Sequence, residues 1–140
     1  MSLSAQEWRE RLANKAKNRC GYCLTQETVS GVHLTLEHII PLSKGGQTEE
    51  SNLWLSCRLC NESKGVLTEY TDSESGSSVP LFNPYTQTWT DHFAWNEAGS
   101  YIVDLTPTGR ATIEALDLNN EFRVSSRAIW VEAGWHPPNN

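Results

Sequence analysis

The chain has 140 residues, of which 38% are hydrophobic, and this suits one compact domain or a small domain with an extension. No apolar run reaches the ~20 residues of a membrane span, and the N-terminus lacks the apolar core of a secretion signal, so we expect a cytoplasmic protein with no membrane partner and with reduced thiols. The net charge of −6 argues against nucleic acid as a partner, but residues 1–23 carry a local charge of +3, which keeps a basic face open.

The first half of the chain predicts two helices with an intervening strand. Residues 4–18 have the apolar spacing of an amphipathic helix, with Ser4 as its N-cap. Residues 32–37 alternate apolar and polar side chains, which is typical of a half-buried strand. The remaining predicted elements of this half are a loop over 41–51, a brief strand or turn over 52–56 and a helix over 57–68.

The second half opens with the one low-complexity stretch, residues 71–78, which we expect to be a hinge or an exposed loop. Residues 93–105 predict two strands that turn at residues 97–100. Thr106 and Pro107 predict the start of a helix, with threonine as N-cap and proline at the first helical position. A final helix is predicted over residues 124–133, ending at Gly134.

All four cysteines fall into two Cys-x-x-Cys pairs, Cys20 with Cys23 and Cys57 with Cys60, and 33 residues separate the pairs. Two such pairs let four thiolates converge tetrahedrally on one Zn²⁺. Four free buried cysteines or two disulfides are the alternatives, and the absence of a secretion signal favours zinc. A four-thiolate site has no open coordination position, so we expect it to stabilise the fold and not to catalyse.

Glu37 and His38 are adjacent at the end of the predicted strand, and together with Asn61 they indicate metal-assisted phosphodiester chemistry. Histidine exchanges a proton near neutral pH and can activate a water molecule. A carboxylate and an amide oxygen form a hard ligand set that suits Mg²⁺. Neighbouring residues of a strand face opposite sides, so one of the pair can face a metal while the other addresses the water. Asn61 could instead only cap a helix.

The stretch "LEHIIPLSKGG", the following Asn52 and the stretch "CRLCNESKG" resemble the signature of HNH endonucleases, in the form whose zinc knuckles bracket the motif. The resemblance covers about residues 19–66. It implies an α+β fold with a ββα-metal, treble-clef-like core that contains the four-cysteine zinc. The rest of the chain resembles the C-terminal extension of a group of bacterial HNH proteins. We therefore expect a nuclease core over residues 1–70 and a small α+β extension over residues 71–140 packed on it.

The resemblance also implies a role for each matching residue. His38 stands at the position of the general base, and Asn52 at that of the asparagine that orients the catalytic loop. Glu37 and Asn61 stand at the ligand positions for a catalytic ion, for which we expect Mg²⁺ or Mn²⁺. The implied activity is hydrolysis of DNA to a 5′-phosphate and a 3′-hydroxyl, with double-stranded DNA as the expected substrate and RNA still open. The rival hypothesis is a non-catalytic zinc module that binds nucleic acid or protein.

Four further residues carry weaker expectations. Lys64, one helical turn after Asn61, should contact phosphate or be solvated. Arg19, beside Cys20, should neutralise thiolate charge or contact phosphate. His92 lies in an aromatic stretch that we expect to be an ordinary core strand, and Arg110 lies in the first turn of its helix, where a cation needs a partner such as phosphate or Glu114. The sequence predicts neither a role in a pathway nor an oligomeric state.

Overall fold

The computed structural model describes residues 3–139. Its secondary structure consists of short elements, with two 3₁₀ turns at Leu42–Lys44 and Glu50–Asn52. The helices are α1 (Ala5–Ala16), α2 (Glu27–Ser30), α3 (Arg58–Lys64), α4 (Trp89–His92), α5 (Pro107–Ala115) and α6 (Glu121–Glu132). The strands are β1 (Thr35–His38), β2 (Leu53–Ser56), β3 (Glu69–Thr71), β4 (Ser78–Pro80), β5 (Phe93–Trp95) and β6 (Ile102–Asp104). They pair as three separate antiparallel hairpins, β1 with β2, β3 with β4 and β5 with β6. An α+β fold is thereby confirmed.

Helix α1 follows directly from its local sequence. The Ser4 hydroxyl accepts a hydrogen bond from the backbone N–H of Glu7, and the Glu7 carboxylate accepts one from the N–H of Ser4, which completes a capping box. Trp8, Leu12 and Ala16 form the buried stripe, one turn apart. This stripe packs α1 against the β1–β2 hairpin.

The first strand is shorter than the alternation predicts. It begins at Thr35, and Val32 is 52% exposed. The reason is α2, which ends at Ser30 and is followed by Gly31 as C-cap, with a φ of 72°. The Glu27 carboxylate of α2 then accepts a hydrogen bond of 2.8 Å from the N–H of Leu34, so the residues before the strand form a linker.

Residues 71–78 form the tip of the β3–β4 hairpin and are mostly exposed, so this stretch is the exposed loop of the two alternatives and not a hinge. Asp72 is fully buried there and pairs with Arg110, which also lies 2.9 Å from a carboxylate oxygen of Asp104. The Arg110 side chain, together with Ser75, holds the pKa of the Asp72 carboxyl well below its usual range. Arg110 therefore has carboxylate partners, but not the expected Glu114, whose carboxylate accepts a hydrogen bond from Ser73. The ion pairs fasten the hairpin to α5.

Both helices predicted for the second half are present, and α6 has different first and last residues from those predicted. Thr106 caps α5 by accepting a hydrogen bond from the N–H of Gly109. Helix α6 begins at Glu121, three residues before the predicted start, because the Asn120 side chain caps it. His92 ends α4 and is bonded through Nδ1 to the Thr106 hydroxyl at 2.7 Å, so it does not lie in a strand.

One core cluster draws on both halves of the chain. Leu12, Tyr22 and Leu53 belong to it, and so do Phe82 and Leu116 from beyond residue 70. The division into a core over 1–70 and an extension over 71–140 stays a prediction. Across residues 3–139, no helix combines the length and the apolar character needed to cross a membrane.

Candidate active site and metal centre

The four cysteine side chains meet at one point. All four sulfur atoms lie within 4.8 Å of one another, and the Sγ atoms of Cys23 and Cys57 are 3.6 Å apart. Tetrahedral zinc with bonds of about 2.3 Å places its sulfur ligands about 3.8 Å apart, so the cluster fits the ion. The cysteines are unpaired, and 3.6 Å far exceeds a disulfide bond of about 2.05 Å. Among residues 3–139 this is the one group of three or more histidine, cysteine or carboxylate ligands close enough to share an ion.

Local backbone geometry builds the two knuckles. A side chain at Gly21 would place its Cβ 2.4 Å from the indole of Trp54, so only glycine fits inside the first knuckle. The N–H of Tyr22 donates to the sulfur of Cys20, and the N–H of Cys60 donates to the sulfur of Cys57. Burial raises the pKa of the Cys60 thiol, so zinc must displace a proton when it binds.

A residue that the sequence did not suggest completes the cluster. The guanidinium of Arg123, on α6, donates to Cys60 Sγ at 3.0 Å and lies 3.8 Å from Cys57 Sγ. Burial alone would lower the pKa of Arg123, but the sulfur atoms of Cys60 and its neighbours raise it above its ordinary value. The thiolate-neutralising role expected of Arg19 is wrong, because that guanidinium donates to the carbonyl of Asn139 at 2.8 Å.

His38 is the last residue of β1, next to the loop that connects β1 to β2. It is half-buried, pairs with Leu53 across the hairpin, and its Nε2 lies 2.9 Å from the Thr48 hydroxyl. Thr48 is exposed in the loop between the two strands. The imidazole is thus held from one side by a loop hydroxyl and remains accessible to solvent, as a group that exchanges protons with a substrate must be.

Asn52 fixes the loop that faces His38. Its side-chain amide donates to the carbonyls of Ile40 and Gln47, both at 2.9 Å, and its Oδ1 accepts from the N–H of Ile40 at 2.8 Å. The loop also requires glycine at position 46, where a Cβ would approach the Ile40 carbonyl oxygen to 1.8 Å. Asn52 therefore ties the backbone that follows His38 to the far end of the same loop.

Glu37 points to the opposite side of β1 and is 4% exposed. The Tyr22 hydroxyl donates to its Oε2 at 2.6 Å, and the ammonium of Lys64 lies 3.4 Å from its Oε1. Burial raises the pKa of Glu37, and the charge of Lys64 offsets part of that rise. Lys64 is itself 2% exposed and donates to the Ile39 carbonyl, so neither expectation for it, solvation or phosphate contact, is correct.

One oxygen of the buried Glu37 carboxylate, Oε1, faces the Lys64 ammonium and accepts no hydrogen bond from the part of the chain that the structure describes. Asn61 is half-buried on α3, one turn before Lys64, and its backbone makes the helical hydrogen bonds. Carboxylate and amide oxygens are ligands that Mg²⁺ and Mn²⁺ accept. An ion at Oε1 competes with the Lys64 ammonium for that oxygen.

Replacing Lys64 with methionine is expected to destabilise the fold by about 3 kcal/mol, because it leaves a buried carboxylate without its cation. The loss should grow as pH rises from the ordinary glutamate pKa towards the raised pKa of Glu37. In that window the unfolded chain releases its proton before the folded chain does, which favours unfolding. Urea unfolding at several pH values measures the effect.

The double variant E37Q/K64M is the matched control, because it removes both charges and keeps an acceptor for the Tyr22 hydroxyl. It should recover most of the lost stability and lose the pH dependence. A K64M variant as stable as the native chain at every pH would contradict the buried ion pair.

The comparisons with known proteins agree with this geometry. Residues 20–66 match the family model described as HNH endonuclease, a segment that begins at Cys20 and ends just beyond α3. No curated protein and no solved structure matches the chain. The matched segment includes both cysteine pairs, the β1–β2 hairpin and Asn61.

Proposed function

We propose that this chain, whose residues 20–66 form an HNH endonuclease domain, is a metal-dependent endonuclease that hydrolyses DNA phosphodiester bonds. The observation that carries the proposal is the division of two adjacent residues between the faces of β1. His38 faces a loop and solvent, while Glu37 faces the interior, where its Oε1 accepts no hydrogen bond from residues 3–139 and lies 3.4 Å from the Lys64 ammonium. Base and candidate ligand therefore share one strand end without pairing with each other.

In this proposal His38 takes the proton of the attacking water. The contact with Thr48 orients the imidazole, and Asn52 keeps the backbone after His38 in place. Glu37 and Asn61 would hold a Mg²⁺ or Mn²⁺ ion, which supplies charge stabilisation at the phosphate and the leaving oxygen when bound. The buried four-cysteine zinc stabilises this arrangement and takes no part in the chemistry.

A basic helix beside the catalytic loop supports nucleic acid as the substrate. Arg11 and Lys15 of α1 lie 3.9 Å and 3.1 Å from carboxylate oxygens of Glu50. Glu50 belongs to the same loop between β1 and β2 as Thr48. Both basic side chains are about half exposed, at 55% and 47%. Basic side chains of an otherwise acidic chain thus border the loop whose Thr48 contacts His38, and phosphate contacts there would position a duplex. We propose double-stranded DNA, and an RNA duplex is the comparison in the test.

The ion site is tested with Asn61→Ala. Nicking of supercoiled plasmid by the native, zinc-loaded chain should require Mg²⁺ or Mn²⁺. The variant should need at least about tenfold more ion for half-maximal cleavage, since even residues that only orient a ligand change metal affinity by that factor. The exposed neighbour Ser63→Ala, on the same helix, is the matched control and should behave as the native chain.

Equal ion requirements for the native chain and Asn61→Ala would remove Asn61 from the site. No cleavage of plasmid or of RNA duplex by the zinc-loaded chain in either ion would overturn the proposed activity and would favour the non-catalytic binding module. Cleavage of the RNA duplex alone would overturn the choice of DNA.

A further inference from the structure

Two buried arginines on one face of α6 lack an acidic partner. Arg123 and Arg127 are 7% and 1% exposed, and they are one helical turn apart. Within residues 3–139 no carboxylate forms an ion pair with either of them, although Arg11, Arg58 and Arg110 all have such pairs. Burying a cation without a negative partner is costly, so the compensating charge must come from another group.

The hydrogen bonds of the two guanidiniums indicate which group this is. Arg127 donates to the carbonyls of Ser100 and Leu118, which are neutral. Arg123 donates to the carbonyl of Leu116 at 3.2 Å and to the sulfur of Cys60 at 3.0 Å. Cys60 is fully buried, so the contact between guanidinium and sulfur is shielded from water.

The four sulfur atoms differ in how far away along the chain their hydrogen-bond partners lie. Cys20, Cys23 and Cys57 have partners within two or three residues along the chain, such as the hydroxyl of Thr25 at 3.1 Å from Cys23 Sγ. The partner of Cys60 comes from a helix 63 residues away. One sulfur atom from the cysteine-containing first half of the chain is therefore held by helix α6 from the second half.

A zinc ion bound by four thiolates carries a formal charge of −2. We propose that Arg123 is a functional part of this metal centre. Its guanidinium donates to the zinc-bound sulfurs of Cys60 and Cys57, offsets part of their excess negative charge, and makes retention of zinc depend on the docked helix α6. The proposal concerns the zinc centre alone and does not depend on catalysis.

The donor strength of the thiolates gives a direct readout. Replacing zinc with Co²⁺ produces a thiolate-to-cobalt charge-transfer band, whose energy changes when a hydrogen bond to sulfur is lost. Arg123→Met should shift this band to lower energy, because the Cys60 thiolate becomes a stronger donor. Arg123→Lys should shift it less, since the ammonium keeps the charge but not the planar donor pair.

Zinc retention gives the second readout. Release of zinc from the folded chain to a coloured chelator should be about tenfold to a hundredfold faster in Arg123→Met, with Arg123→Lys between this variant and the native chain. Arg58→Met is the matched control, because Arg58 lies on α3 beside Cys57 but pairs with Glu62 on the surface. It should leave both the band and the release rate unchanged.

If Arg123→Met does not fold, the same two measurements on Arg123→Lys decide the matter. An unchanged cobalt band and an unchanged release rate in the folded Arg123 variant would overturn the proposal. Equal acceleration in Arg58→Met would also overturn it, because general loosening of α3 would then explain the loss of zinc.

Discussion

Removal of zinc is expected to unfold the chain. Structural zinc sites in small domains contribute about 10–16 kcal/mol of apparent binding free energy at neutral pH, whereas a whole domain is stable by only about 5–15 kcal/mol. The cysteines lie inside the main core cluster beside Tyr22 and Leu55, so loss of the ion leaves repelling or protonated thiols at its centre. Far-ultraviolet circular dichroism and the fluorescence of the six tryptophans measure the transition on addition of a strong chelator.

Addition of excess Zn²⁺ should restore both signals, while Mg²⁺ should not, because thiolates prefer softer ions. Cys60→Ser supplies a second test, since it removes one ligand and the acceptor of the Arg123 hydrogen bond together. A zinc-free chain that keeps its tryptophan fluorescence and its cooperative unfolding would contradict a structural role for the cluster.

The His38→Ala variant is expected to cleave DNA about 10²–10⁴ times more slowly than the native chain, which is the contribution usual for a positioned general base. The fold should persist, because the His38 side chain is half-buried and contacts only the hydroxyl of Thr48 through a hydrogen bond. The measurement is the rate of plasmid nicking with enzyme in excess, at saturating Mg²⁺ or Mn²⁺.

His33 supplies the matched control. It lies five residues before His38, but its side chain is 97% exposed and approaches only Glu27, at 3.5 Å. His33→Ala should cleave at the native rate. Equal rates for His38→Ala and the native chain, or an equal loss in both histidine variants, would contradict the assignment of His38 as the base.

Local signals in the sequence predicted the elements that depend on neighbours along the chain. Ser4 predicted the start of α1, and Thr106 with Pro107 predicted the start of α5. The spacing of the cysteines predicted their cluster, because a Cys-x-x-Cys turn brings two sulfurs together whatever the rest of the fold does. The two caps and each Cys-x-x-Cys pair close within a few residues, whereas the meeting of the two pairs was predicted from the four ligands that zinc takes.

Interactions between distant residues escaped prediction. Lys64 contacts the Ile39 carbonyl 25 residues away, Arg110 reaches Asp72 across 38 residues, and Arg123 reaches Cys60 across 63. Each partner depends on how elements pack, and charge pattern alone treats these side chains as solvated surface. A buried lysine in particular has no sequence signal, because the same residue type occurs far more often in solvent.

The candidate site depends both on local sequence signals and on contacts between distant residues. The alternation along a strand correctly separates the side chains of Glu37 and His38, but it predicts that Glu37 lies on the polar face. In the structure Glu37 is the buried member of the pair, because Tyr22 and Lys64 supply a donor and a cation beneath it. Thr48, which contacts His38, was not predicted because its loop has no periodic pattern.

In the proposed reaction a water molecule activated by His38 attacks the phosphodiester. Cleavage of a defined DNA duplex in ¹⁸O-labelled water, with the native zinc-loaded chain and Mg²⁺ or Mn²⁺, tests it most directly. We predict one ¹⁸O atom in the 5′-phosphate at each new end, opposite a 3′-hydroxyl, with the yield falling in His38→Ala as its rate does. Unlabelled 5′-phosphates, 3′-phosphate ends, or an intact duplex under these conditions would contradict this reaction.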